Sequence, residues 1–222
     1  MQGSSSKDVN GSESGTNSAE LVIVGRSTSH FTRITRVFAA EGGLDYVYRV
    51  VPDLRVTDPA NYAGNPALRI PILRTPKGEW FGSLNICREI FRLSRKKPRV
   101  IWPEDLEDPL TANAQELIFQ GMANEVTVLM SRFFGEPEGP HAAKLRSSLA
   151  NTVEWLEGNV EGILARLPAD RELSYLELSW YCFLRHVEFR ELLSIAPYAK
   201  LTEFCRNYEM RQSVKDTHYR LD

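Results

Sequence analysis

Apolar positions divide the chain into two regimes. Leu21-Val22-Ile23-Val24 is a short unbroken apolar run, the pattern of a buried strand, and residues 25–29 break it with polar side chains. From His30 to Glu41, the residues Phe31, Ile34, Val37 and Phe38 recur at helical spacing, and Gly42-Gly43 stops the helix. Residues 46–51 are rich in Tyr and Val and end at Pro52, which predicts a second strand. An irregular polar stretch, residues 53–65, leads to two short strands over 70–73 and 79–81. The turn Thr75-Pro76-Lys77-Gly78 joins them into a hairpin. Ser83 opens another helix, with Leu84, Ile86, Cys87, Ile90 and Phe91 on its apolar side. This order predicts a mixed four-stranded sheet with helices packed on it.

Beyond Pro109 the period is helical throughout. Ala114, Leu117, Ile118, Gly121 and Met122 form one stripe, and a second runs from Leu145 to Leu167. Ser174 with Glu177 three residues on has the spacing of a capping box, and Leu173 and Leu178 are placed as its hydrophobic staple. Two shorter helices follow, divided near Pro197. The predicted organisation is a disordered Ser/Gly/Asn-rich tail over residues 1–20, an α/β domain over 21–97, a linker over 98–108 and an all-α domain over 109–222.

Composition narrows the function. Of 222 residues, 42% are apolar and 25% charged, as in ordinary globular proteins. Lys plus Arg is 27 against 29 for Asp plus Glu, so the net charge of −2 supplies no drive toward nucleic acid or an anionic membrane. No apolar run reaches the roughly 18 residues of a bilayer span, and no signal peptide is evident, so a cytoplasmic protein is expected. Cys87, Cys182 and Cys205 are odd in number and scattered, which excludes a disulfide framework or a C-x-x-C site. His30, His141, His186 and His218 lie far apart in sequence, without metal-ligand spacing, and no metal is expected. The basic run from Arg92 to Arg99 reads as cations complementing a helix C-terminus.

Three positions in the first domain then stand out. Ser29 falls between the first strand and the first helix, where unpaired N–H groups favour an anion and a hydroxyl can donate to it; an ordinary N-cap fits it equally well. Ile70-Pro71 opens a strand after an irregular loop, a place for a cis proline that the local sequence does not decide. Gly82-Ser83 begins a helix, again suited to a carboxylate or to a plain N-cap.

In combination these positions resemble one family. Ser29 followed by a short basic helix and Glu41-Gly42-Gly43-Leu44-Asp45-Tyr46 is similar to the N-terminal pattern of glutathione S-transferases. Asn65-Pro66 through Ile70-Pro71-Ile72-Leu73 resembles that family's cis-proline segment, and Ser83, twelve residues after Pro71, resembles its E-S motif. Ser174-x-x-Glu177 and Arg211-Gln212-Ser213-Val214 through Thr217 resemble its C-terminal motifs. The resemblance implies a thioredoxin-like domain followed by a helical bundle, a homodimer, cis Pro71, and glutathione as co-substrate in detoxification chemistry. It implies that Ser29 holds the thiolate, that Ile70 and Pro71 present backbone to the cysteinyl unit, that Gly82 and Ser83 receive the γ-glutamyl end, and that Arg69 receives the glycyl carboxylate. Phe31, Phe119, Met122 and Val126 are the candidate walls of an apolar electrophile site. Lowering a thiol pKa from about 8.5 by about two requires roughly 2.7 kcal/mol. A hydrogen bond to a charged group supplies roughly 1.5–3 kcal/mol and a helix N-terminus roughly 0.3–1, so Ser29 suffices without a general base.

One position departs from the family. An acidic residue usually precedes the motif serine, where it meets the γ-glutamyl ammonium; here it is Gly82. Losing that contact costs about 1.5–3 kcal/mol, or roughly ten- to a hundredfold in affinity. Glu79, or an acid such as Glu125 from a partner subunit, is the candidate substitute. Two functions follow: a glutathione transferase, or a catalytically inactive protein-interaction module on the same scaffold.

Overall fold

A computed structural model describes residues 21–135 and 139–222, so the expected tail over 1–20 lies outside the described residues. Strand β1 (Val22–Gly25), helix α1 (His30–Glu41), β2 (Val47–Val50), β3 (Ile72–Thr75), β4 (Gly78–Phe81) and α2 (Ser83–Leu93) follow the predicted order. The sheet runs β2-β1-β3-β4, with β1 and β2 parallel and the other pairs antiparallel. Because side chains alternate along a strand, the register fixes two faces. Ile23 pairs with Leu73, and both pack with α1 and α2; one step on, Val24 pairs with Ile72 and is covered from the other side by Val51 and Tyr62.

The second domain holds α3 (Pro109–Phe134), α4 (Pro140–Arg166), α5 (Tyr175–Phe189), α6 (Ala199–Tyr208) and α7 (Gln212–Lys215). Helix α5 is apolar nearly all round, and its Trp180, Phe183 and Leu184 are fully buried, as expected of a helix at the centre of a bundle. Gly121 lets α3 approach it: a Cβ there would stand 2.8 Å from the Phe183 ring. Among the described residues no helix is long and apolar enough to cross a membrane, and all three cysteines are buried and free.

Residues 98–108, read as a linker, are built into the fold. Val100–Ile101 forms β5, which pairs in parallel with β6 (Leu173–Ser174), and the Trp102 ring lies 5.3 Å from Phe38 and 5.8 Å from Phe91. One apolar core therefore runs through both domains. The capping box at α5 is half formed. Ser174 accepts from the Glu177 N–H, but the Glu177 carboxylate takes Arg171 at 2.7 and 2.8 Å instead of reaching back. A bidentate charged pair outcompetes a neutral backbone donor. The basic run behaves as expected where Lys97 donates to the last carbonyls of α2, Phe91 and Arg92, at 2.7 and 3.0 Å.

Candidate active site

Helix α1 starts where the sequence places it. Ser29 has extended backbone (φ −98°, ψ 124°), and its Oγ accepts from the Thr32 N–H at 3.2 Å. The cap uses the oxygen as acceptor, which leaves the hydroxyl proton as a donor to the cleft beside it. Gly25, ahead of this turn, has no room for a side chain, because the Thr32 side chain stands 2.5 Å from where a Cβ would be.

The other two positions reach the same end of the sheet by register. Gly25 ends β1, while Ile72, paired with Val24, begins β3 and pairs on its other side with Phe81 at the end of β4. Ile70-Pro71 is cis. Its loop is held by Asn65, whose side chain donates to the Arg69 carbonyl at 2.7 Å and accepts from the Ala67 N–H at 3.0 Å. Gly82 caps α2 with φ +80° and no side-chain bond, and the Ser83 hydroxyl lies 3.0 Å from the Tyr175 hydroxyl, which ties α2 to α5.

A cleft of about 630 Å³, within the usual range for small-molecule sites, opens between the domains. Of the sequence candidates, Ser29, Phe31, Arg69, Ile70 and Val126 line it. Pro71, Gly82 and Ser83 are not among its wall residues. Met122 points into the core and is fully buried, and Phe119 packs edge-on against Tyr175 at 5.9 Å, so α3 presents Val126 and Met130 to the cleft instead. Neither substitute for the missing acid is free. Glu79 pairs with Arg74 at 3.2 Å, and Glu125 is wholly buried inside its own chain, out of reach of any partner subunit's site.

Glu125 belongs to a cluster that residue spacing concealed. His30, Glu125 and His186 come from α1, α3 and α5 and meet beneath the cleft, all buried. Glu125 Oε1 is in direct hydrogen-bond contact with His186 Nδ1, which also lies 2.9 Å from His30 Nδ1. The other ring nitrogen of His186 donates to the Thr28 carbonyl at 2.7 Å, immediately before Ser29. Burial raises the Glu125 pKa against the pull of His186, and burial together with His186 and Arg190 holds His30 well below the usual histidine range. Both shifts favour the uncharged forms of Glu125 and His30. Two histidines and a carboxylate are also the residues that could hold a metal ion. The 2.9 Å between ring nitrogens is, however, tighter than the roughly 3.3 Å separating tetrahedral ligands set about 2.0 Å from zinc, and fits hydrogen bonding better.

The available sequence signal was polarity in phase with the core: Glu125 comes three residues after Met122, and His186 comes three and four residues after the apolar Phe183 and Cys182 of α5. Arg190, the C-cap of α5, was likewise missed. It faces the cleft, with its guanidinium 3.4 Å from the Thr28 carbonyl.

Residues 28–92 match the profile of the glutathione S-transferase N-terminal domain. No curated protein matches the chain. Among solved structures, a glutathione S-transferase from Methylobacillus flagellatus with glutathione bound is 19% identical, with a TM-score of 0.71 over 90% of this chain and 99% of that one. A glutathione transferase family member from Pseudomonas fluorescens with bound glutathione is 19% identical, with a TM-score of 0.71 over 91% of this chain and all of that one. A glutathione S-transferase from Methylobacterium radiotolerans in complex with glutathione sulfonate is 18% identical, with a TM-score of 0.69 over 91% and 97%. At these identities the whole-chain likeness is one of fold, and the profile match identifies the first domain. The chain thus carries a glutathione S-transferase N-terminal domain within the two-domain fold of that family.

Proposed function

We propose that the protein is a glutathione transferase in which Ser29 holds the glutathione thiolate for attack on a small electrophile with an apolar body. The observation that carries this reading is the Ser29 hydroxyl. It opens α1, lines the cleft, and has its acceptor side occupied by the Thr32 N–H, so its proton is left for an anion. The thiol proton passes to solvent, and the thiolate is held by the Ser29 O–H and the positive end of α1. Ile70 and Pro71 lie along the cysteinyl unit, Gly82 and Ser83 at the γ-glutamyl end, and Arg69 at the glycyl carboxylate. In the same reading the protein is a cytoplasmic homodimer with glutathione as co-substrate and no metal.

A second reading, the inactive interaction module, draws on the missing acid at Gly82, now without Glu79 or Glu125 to replace it. Calorimetric titration with glutathione separates the two. Affinity in the micromolar to low-millimolar range is expected, and no heat at several millimolar overturns the transferase reading. Restoring the acid should report on the same contact. Gly82→Glu is expected to tighten glutathione binding about tenfold. It should also lower the melting temperature, because the positive φ at this position costs a side chain about 1–3 kcal/mol. Unchanged affinity would place the γ-glutamyl end elsewhere.

A further inference from the structure

The proposed glutathione contacts leave one cation of the cleft unused. Arg69 is assigned to the glycyl carboxylate, and the γ-glutamyl end lies at the start of α2, which is tied to the first residue of α5, whereas Arg190 caps the opposite end of that helix. Arg190 stands instead beside Thr28, next to the hydroxyl that holds the sulfur. Its surroundings offer it little. The Nε atom is 3.4 Å from His186 Nε2, but that nitrogen donates its proton to the Thr28 carbonyl at 2.7 Å and has no lone pair to give. Its other hydrogen bond, to the same carbonyl, is a long 3.4 Å, and its guanidinium carbon lies 5.2 Å from the centre of the Phe189 ring. No aspartate or glutamate lines the cleft, and among the described residues no carboxylate pairs with Arg190. Glu125 gives its Oε1 to His186 and acts on Arg190 through charge alone, without a hydrogen bond to it, and burial raises its pKa. A half-buried guanidinium with no carboxylate in hydrogen-bond reach bears a desolvation cost that the Phe189 ring and the more distant charge of Glu125 offset only in part. Opposite it, Phe31, Val126, Met130 and Phe134 supply an apolar wall.

We infer that Arg190 anchors an anionic group of the second substrate, so that the preferred electrophile pairs a carboxylate with an apolar body. The inference rests on the glutathione reading and adds the charge of the co-substrate to it. The carboxylate sits on the Arg190 fork, the body lies along the α3 wall, and the reactive carbon is presented to the sulfur at Ser29.

A matched pair of benzylic chlorides tests this: para-(chloromethyl)benzoate and para-(chloromethyl)benzamide, nearly equal in shape and differing by one charge. In both, the thiolate attacks the benzylic carbon, the C–S bond forms as the C–Cl bond breaks, and chloride leaves with the electron pair. The wild-type protein is expected to favour the benzoate in kcat/KM by about tenfold or more, a preference that weakens with added salt. The ratio should fall to about one in Arg190→Leu and be kept in part in Arg190→Lys; Arg190→Gln serves if the leucine variant does not fold. A wild-type ratio near one, or a ratio unchanged in the variant, overturns the inference. So does an equal loss on both substrates with an alkaline shift of the pH–rate profile, which would assign Arg190 to the sulfur. Glutathione titrated into the same preparations separates the two levels. Binding without charge preference removes the inference alone, whereas no binding removes the transferase reading and the inference with it.

Discussion

Alanine at position 29 is expected to lower kcat/KM for glutathione-dependent turnover by ten- to a hundredfold, with glutathione affinity within a few-fold of wild type. The range follows from losing one hydrogen bond to a charged sulfur, about 1.5–3 kcal/mol. The same substitution removes the α1 cap, since Ser29 Oγ accepts from Thr32, and should cost about 1 kcal/mol of stability. Ser29→Gly separates the two effects: glycine caps almost as well as serine, within a few tenths of a kcal/mol, but has no hydroxyl. If the glycine variant turns over like wild type, another hydroxyl holds the sulfur. Thr28, which also lines the cleft, is then the candidate, while Ser27 lies outside the walls.

Glu125→Ala is expected to be the most destabilising single change in the cluster. It leaves His186 Nδ1 without its carboxylate partner in a buried site, a loss of about 1–3 kcal/mol, which for a chain of this length lowers the melting temperature by about 2–12 °C. The cluster also predicts how stability depends on pH. His30 has its folded pKa depressed, so below about 6.5 the unfolded chain takes up a proton that the folded chain refuses, and stability falls with acidification through that window. Glu125 acts in the opposite sense. Its folded pKa is raised, so its contribution is present at low pH and is lost as pH rises through the raised value. Melting temperatures of wild type and His30→Gln across pH 5–8 check the first effect: the acid-side slope should be shallower in the variant. Equal slopes would mean that His30 protonates freely in the folded protein.

The fold was largely legible because its signals are local. The apolar run of β1, the spacing of Phe31, Ile34, Val37 and Phe38, and the turn at Thr75–Gly78 each specify an element within a few residues, and the structure has those elements in that order. Ser29 was legible as a helix start for the same reason. The face of α3 was not. A helix of 26 residues that is apolar on more than one side gives no period that separates core from cleft, so Met122 was grouped with Val126 although they point to different places. The buried triad was illegible for a stronger reason. Glu125 and His186 are 61 residues apart, and His30 and His186 are 156 apart; excluding a cluster by sequence spacing assumes that partners are neighbours in the chain, and a domain interface breaks that assumption.

Helix α1 is held by the far end of the polypeptide. The Arg33 guanidinium donates to the Tyr181 hydroxyl and the Val214 carbonyl and stacks on the rings of Tyr181 and Tyr219, and Asp222 accepts from the Ser27 N–H at 2.6 Å. Residues 26–33 and 213–222 therefore form a single cassette. A chimera that exchanged the helical half with that of a relative would have to transplant both segments together, or the serine at the mouth of the cleft would lose its alignment.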